Sequence, residues 1–153
     1  MRNNPCSSRT MYTIGYEGRD IKEFANQLEG FGISTLVDIR EFPLSRKRGF
    51  SKNSLAQHLS QYGIEYLHIR ELGSPRFLRK KLRSDGDYGY FFGHYSKYLD
   101  SQVEAIEKLH KIVLSTVSCI MCYEKEPVSC HRSVVSQEIV RLNQYRVEIK
   151  HIT

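Results

Sequence analysis

Four apolar, strand-like runs of this sequence end in groups that move protons, hold anions or attack electrophiles. Met11–Ile14 runs into Gly15-Tyr16-Glu17-Gly18, and Thr35–Ile39 carries Asp38 and leads to Arg40. Ile64–Ile69 contains His68 and precedes Arg70. Val117–Met121 leads to Cys122 and Glu124, and then to Cys130-His131-Arg132. A carboxylate at the rim of a pocket serves as a general base or a nucleophile, so Glu124 and Asp38 are the first catalytic candidates. Glu124 could instead orient His131 or Arg132, and Asp38 could simply pair with Arg40. Cys130-His131-Arg132 stands where a helix is expected to begin. Unpaired N–H groups and the helix dipole there favour an anion and lower a thiol's pKa. Cys130 is therefore either a nucleophile, with His131 beside it, or a small packed residue. Arg132 either grips a phosphate or carboxylate ligand, or closes an internal salt bridge to Glu124 or Asp38. Tyr16, Glu17, Arg40, Arg46 and Arg132 form the expected substrate-binding set.

Two further chemistries are weighed and set aside. Gly15 and Gly18 make a G-x-x-G that is too short for a dinucleotide fingerprint, and the third glycine is missing, so no cofactor is expected. Cys119 and Cys122, followed by Cys130-His131, have superficially metal-like spacing. In a strand, however, residues i and i+3 face opposite ways, so Cys119 and Cys122 are read as core cysteines and no metal site is expected.

The elements that position these groups follow from periodicity. Asp20 with Glu23 resembles a capping box, and Ile21, Phe24, Ala25 and Leu28 share one helical face. Gly30 and Gly32 close that helix. Ser51 is expected to cap a helix carrying Leu55, His58, Leu59 and Tyr62, ended by Gly63. A basic helix follows at Arg76–Arg83, stopped by a turn at Ser84–Asp87. One long helix is expected over about Tyr95–Leu114, another from about His131 to Asn143, and a fifth strand at Val147–Ile152. Strands separated by helices predict an α/β fold, a single domain over 11–153 with a mostly parallel sheet of about five strands and helices on both faces. Residues 1–10 are expected to be a loose tail. In such a sheet ligands bind beyond the carboxyl ends of the strands, where the four chemical groups converge.

Charge narrows the ligand class. The chain has 153 residues, a formal net charge of +6, 40% hydrophobic and 26% charged residues. That composition excludes a disordered or collagen-like chain. No apolar run approaches the roughly 20 residues of a membrane span, and MRNNPCSSRT has no apolar signal-peptide stretch. Four cysteines, three of them crowded within twelve residues, do not form a secreted disulfide framework, so reduced thiols and a cytoplasmic location are expected. Residues 40–52 and 76–83 together hold ten of the 23 lysines and arginines against a single acid, Glu41. Phe42, Phe50, Tyr88, Tyr90, Phe91, Phe92 and Tyr95 lie close by. Cations on phosphates with rings on unpaired bases would make Arg48, Lys52, Arg79, Lys80, Lys81 and Arg83 a nucleic-acid surface. The alternative is a solvated basic helix beside an aromatic core.

The motifs taken together resemble the domain of unknown function 488 family over about residues 11–152. The stretches that carry the resemblance are Thr13–Gly18, Val37–Pro43 with Ser45-Arg46, Gly63–His68, Leu72-Gly73, Met121–Glu124 and Pro127–Arg132. The last two are the most specific. The resemblance implies an α/β domain with a pocket around these motifs and supplies no reaction. The expected function is an enzyme acting on a nucleotide or nucleic acid, by hydrolysis or transfer at a phosphoryl or glycosidic centre. A non-catalytic nucleotide or nucleic-acid module and a thiol enzyme or sensor using Cys130 are the alternatives. The expected partner is a phosphate-bearing small molecule or nucleic acid, with no membrane involved.

Overall fold

Short apolar runs joined by connections of a dozen or more residues that contain a helix favour crossovers, which make their strands parallel. A computed structural model describes residues 9–144 and 146–153 and has this arrangement. The strands are β1 (Arg9–Gly15), β2 (Thr35–Asp38), β3 (Glu65–His68), β4 (Ser118–Cys122) and β5 (Val147–Ile152). They form one sheet in the order β3-β2-β4-β1-β5, every pair parallel. Arg9 and Thr10 belong to β1 rather than to a tail, because their ladder runs Arg9↔Val147 and Thr10↔Glu148 along β5. The rest of the expected tail, residues 1–8, lies outside the described residues.

Helices cover both faces. α1 (Ile21–Gly30) and α2 (Lys52–Ser60) pack Phe24, Leu28, Leu55 and Leu59 with Ile14, Leu36, Cys119 and Met121. On the other face lie α3 (Arg76–Asp85), α4 (Tyr88–Asp100), α5 (Val103–Ser115) and α6 (Arg132–Leu142). They pack around Met11, Val37, Ile120 and Cys122. Cys119 and Cys122 thus face opposite sides of the sheet, as strand alternation requires. None of the described helices is long and apolar enough to cross a membrane.

Three local expectations change. The long helix over Tyr95–Leu114 is two helices. Ser101 N–H and hydroxyl both donate to the Tyr98 carbonyl, and Gln102 N–H reaches back only to Leu99, which tightens the last turn and ends α4. That helix also starts earlier, at Tyr88, because the Asp87 carboxylate accepts the Tyr90 N–H at 2.9 Å. α3 runs on through Asp85 and stops at Gly86, whose φ of 66° is the left-handed C-cap conformation. Ser51 sits at the N-cap of α2 without capping it. Its hydroxyl instead bridges the Ser45 N–H and carbonyl at 3.1 and 3.2 Å, folding the basic loop on itself. The Asp20 cap does form, accepting the Glu23 N–H at 2.8 Å.

Candidate functional site

The carboxyl ends of β1, β2 and β4 are stitched together beyond the strands themselves. Tyr16 N–H donates to Cys122 O at 3.2 Å, Glu17 N–H to Tyr123 O at 2.9 Å, and Ile39 N–H to Met121 O at 3.1 Å. Two buried arginines brace this edge. Arg19 Nε donates to the Gly15 carbonyl at 3.0 Å and Nη2 to the Ile152 carbonyl at 3.3 Å. Arg132, fully buried, donates to Thr13 Oγ1 at 3.2 Å, Cys122 Sγ at 3.1 Å, Lys125 O at 2.9 Å and Glu124 O. Its guanidinium therefore holds the loop after β4 by its carbonyls, and it makes no ion pair with Glu124 or Asp38 among the described residues. Such backbone partners leave no trace in residue types or spacing.

Gly15 is what allows this loop to lie so close. A Cβ there would collide with the Glu124 carbonyl and stand 3.0 Å from Lys125 N. Gly15→Ala is expected to cost about 3 kcal/mol in a urea unfolding titration, since the backbone it strikes is clamped by Arg132 and cannot yield. A loss below about 1 kcal/mol would show that the loop after β4 is free to move.

Asp38 is completely buried and belongs to the pair that its spacing allowed. Arg40 Nε and Nη2 reach its carboxylate at 2.9 and 2.7 Å, Arg40 N–H at 3.1 Å, and the Tyr66 hydroxyl at 2.5 Å. Beside this carboxylate, burial and charge push the Tyr66 hydroxyl well above the ordinary phenol range. Arg40 also donates to the Tyr16 hydroxyl at 3.3 Å and lies 5.2 Å from its ring centre, while Tyr16 stacks on Phe50. Asp38 therefore supports Arg40 and Tyr16 from behind, and does not itself line the hollow in front of them.

That hollow is a cleft of 740 Å³ at the strand ends. Tyr16, Glu17, Arg40, Glu124 and His131 all line it, so five of the catalytic and substrate-binding candidates come together, with Cys122 beside them. The basic helix divides: Arg79 and Arg83, four residues apart on one face of α3, line the cleft. Lys80 points to solvent, and Lys81 pairs with Asp85 over the Tyr90 ring. Arg46, Arg48 and Lys52 are exposed and lie outside the cleft, Arg48 lining a separate hollow with Asp20 and His58. Lys47, between them, is the residue of that loop that reaches inward, its Nζ 3.3 Å from the Tyr16 carbonyl.

Periodicity does not single out Glu41, Phe42, Tyr88 and Tyr123, which also line the cleft. Glu41 pairs with Arg79 at 3.7 Å and accepts the Arg76 N–H. The three rings are 44%, 47% and 49% exposed. Phe42 and Tyr88 are marked in the sequence as rings beside the basic windows, whereas Tyr123 is marked only by its place next to a strand end.

The electrostatics separate the carboxylates. Glu17 accepts the Lys125 N–H at 2.9 Å. Glu124 makes no ion pair among the described residues; its Oε2 lies 3.3 Å from Cys122 Sγ, and burial pushes its carboxyl above the ordinary range. His131 is buried, with Nε2 on the Ile39 carbonyl at 3.0 Å and its ring edge-on to Tyr95. Burial lowers its pKa to about 4, so the ring is neutral at physiological pH. With Nε2–H donated to the carbonyl, Nδ1 carries the lone pair, 3.7 Å from Cys130 Sγ.

The cysteines depart from expectation. The sequence reading keeps all four reduced; here Cys122 and Cys130 meet sulfur to sulfur as a disulfide pair, while Cys119 is free and buried. The pairing arises because the turn at Pro127–Ser129 brings Cys130 back under the end of β4. Both are 1% exposed, and Cys130 does not line the cleft. A group of potential metal ligands exists after all, but it consists of Cys122, Cys130 and His131 and leaves out Cys119.

No curated protein and no solved structure matches the chain. A family model does match, over residues 20–139, which takes in Asp38, Arg40, Arg79, Arg83, Glu124 and His131. With most of its length and most of the cleft inside that match, the chain belongs to the family described as domain of unknown function DUF488.

Proposed function

We propose that the protein is an enzyme acting on a nucleotide or a nucleic acid, with the cleft at the strand ends as its active site. The observation that carries this reading is the company Glu124 keeps. A carboxyl without an ion pair shares one hollow with the guanidinium of Arg83, which has no ion pair or hydrogen bond among the described residues, and with the exposed rings of Phe42, Tyr88 and Tyr123. Rings accept the flat face of a base, a guanidinium fork accepts phosphate oxygens, and a carboxyl in reach of the bond to be broken transfers a proton. The 740 Å³ volume lies within the roughly 300–1,000 Å³ of small-molecule sites, which suits one nucleotide unit. Hydrolysis or transfer at a phosphoryl or glycosidic centre uses these groups directly, with Arg40 and Arg79 held by Asp38 and Glu41 as fixed positive charge along the wall.

The test is a panel of nucleoside monophosphates and short single-stranded oligonucleotides, followed by equilibrium binding and by chromatography of products. Arg83→Ala is expected to weaken binding about tenfold, a loss of about 1.4 kcal/mol. Glu124→Gln is expected to keep binding and lower turnover by about 10²–10⁴-fold. Binding without turnover in the unmodified protein would make it a binding module, and a panel that neither binds nor turns over would overturn the reading altogether.

A further inference from the structure

We infer that, with its thiols reduced, the chain binds one zinc-like divalent cation through Cys122 Sγ, Cys130 Sγ and His131 Nδ1, leaving the fourth position open to the cleft. One ligand atom from each of these residues lies within 4.8 Å of the other two, and all three residues are buried. The imidazole is already set for the task. Its Nε2–H is spent on the Ile39 carbonyl at 3.0 Å, so Nδ1 is the ligating nitrogen, and a carbonyl fixes its orientation as a second sphere does in known metal sites.

The sulfur-to-nitrogen distance fits an ion. Tetrahedral bonds of about 2.3 Å to sulfur and about 2.0 Å to nitrogen place the two donors roughly 3.6 Å apart, and Cys130 Sγ lies 3.7 Å from His131 Nδ1. The Cα atoms of Cys122 and Cys130 are 7.5 Å apart, whereas disulfides ordinarily span about 4.4–6.8 Å. Once the pair is reduced, a span of that width suits an atom inserted between the sulfurs.

The surroundings supply the charge that thiolates need. Arg132 Nη1 donates to Cys122 Sγ at 3.1 Å, and Arg132 N–H, at the start of α6, donates to Cys130 Sγ at 3.4 Å. This buried guanidinium has no carboxylate ion pair among the described residues, and its Nη1–H already points at a sulfur that ligation turns into a thiolate. Cys122 and His131 line the cleft, so the open position faces the same hollow as Glu124. Three protein ligands with a free fourth position are the arrangement of catalytic rather than structural zinc, and the bound cation would polarise an oxygen or acidify a water there.

The inference concerns the cleft of the proposed enzyme but does not depend on its substrate, because cation binding is measured with no nucleotide present. Either reading can fail alone. The whole chain, reduced with a phosphine and desalted under argon, is titrated with Zn²⁺ against a chromophoric chelator and with Co²⁺ by absorption. One ion per chain is expected, with the thiolate-to-cobalt charge-transfer band and the intense visible bands of tetrahedral Co²⁺. Cys122→Ser and Cys130→Ser are expected to weaken Zn²⁺ binding at least about 100-fold, and Cys119→Ser to leave it unchanged. The cobalt spectrum of the unmodified chain needs no variant to fold. Absence of the charge-transfer band, or an equal loss of affinity in Cys119→Ser, overturns the inference.

Discussion

Asp38→Asn is expected to lower the unfolding free energy by about 3–5 kcal/mol, the largest loss of any conservative single substitution near the cleft. The carboxylate has no exposure and accepts from the Arg40 side chain at 2.7 and 2.9 Å, from Arg40 N–H at 3.1 Å and from Tyr66 at 2.5 Å. An amide offers one oxygen where the carboxylate offers two, turns an NH₂ toward donors, and leaves a guanidinium 7% exposed without its counter-charge. The loss comes mainly from that stranded charge, because the net worth of a buried pair is small. Asp38→Asn combined with Arg40→Met should therefore recover a large part of what Asp38→Asn removes, which is a coupling measurable in a double-mutant cycle. Urea unfolding with an unchanged m value is the measurement. An Asp38→Asn chain within about 1 kcal/mol of the unmodified one would mean that Arg40 reaches water in the folded protein, contrary to its burial.

Arg132→Met is expected to cost about 4 kcal/mol despite keeping most of the side chain's volume. The guanidinium satisfies the Glu124 and Lys125 carbonyls, Thr13 Oγ1 and Cys122 Sγ, and a buried acceptor left without a donor costs about 1–3 kcal/mol. The effect should be uneven. Amides of residues 123–131 should exchange faster than those of β2 and β3, since the loop after β4 loses the side chain that holds its Glu124 and Lys125 carbonyls. Arg132→Lys keeps the charge but cannot reach several acceptors as a planar fork does, so it should fall between the two. Uniform exchange across the sheet in Arg132→Met would show that the residue fills space rather than anchors a loop.

Much of the fold was legible because it depends on period and punctuation. Buried runs such as Thr35–Asp38 flanked by helices with one apolar face permit little besides a parallel sheet, and Phe24, Ala25 and Leu28 are buried as their spacing requires. The split between α4 and α5 was hidden because the apolar stripe continues across Ser101 and Gln102, and only the hydroxyl's choice of the Tyr98 carbonyl ends the helix. The start of α4 was hidden for the opposite reason: Gly89, Gly93 and a run of aromatics are poor helix formers, and tertiary packing of Phe91 and Tyr95 overrides that preference.

The site was legible where chemistry sits at strand ends, which brought Tyr16, Glu17, Arg40, Glu124 and His131 to one cleft. It was illegible where the partner is backbone or comes from a distant element. Spacing shows that Asp38 and Arg40 lie close, but not that Tyr66 closes the pair. It shows Arg132 at a helix start, but not that its fork turns inward to carbonyls. Charge density along the chain marks two basic windows, while the helical period decides that Arg79 and Arg83 face the cleft and Lys80 does not.

The strand order also sets a timetable. β1 lies between β4 and β5, so both of its neighbours are made after residue 117, while β2 and β3 can pair as soon as residue 68 is free. At about 5–20 residues per second, roughly 100 residues of synthesis separate β1 from its first partner, a wait of about 5–20 s. During that interval Met11 and Ile14, which end with no exposure, have no sheet to enter. β1 therefore waits unpaired while β2 and β3 form, and the cleft, which needs β1 and β4 side by side, is assembled only once Cys122 has emerged from the ribosome.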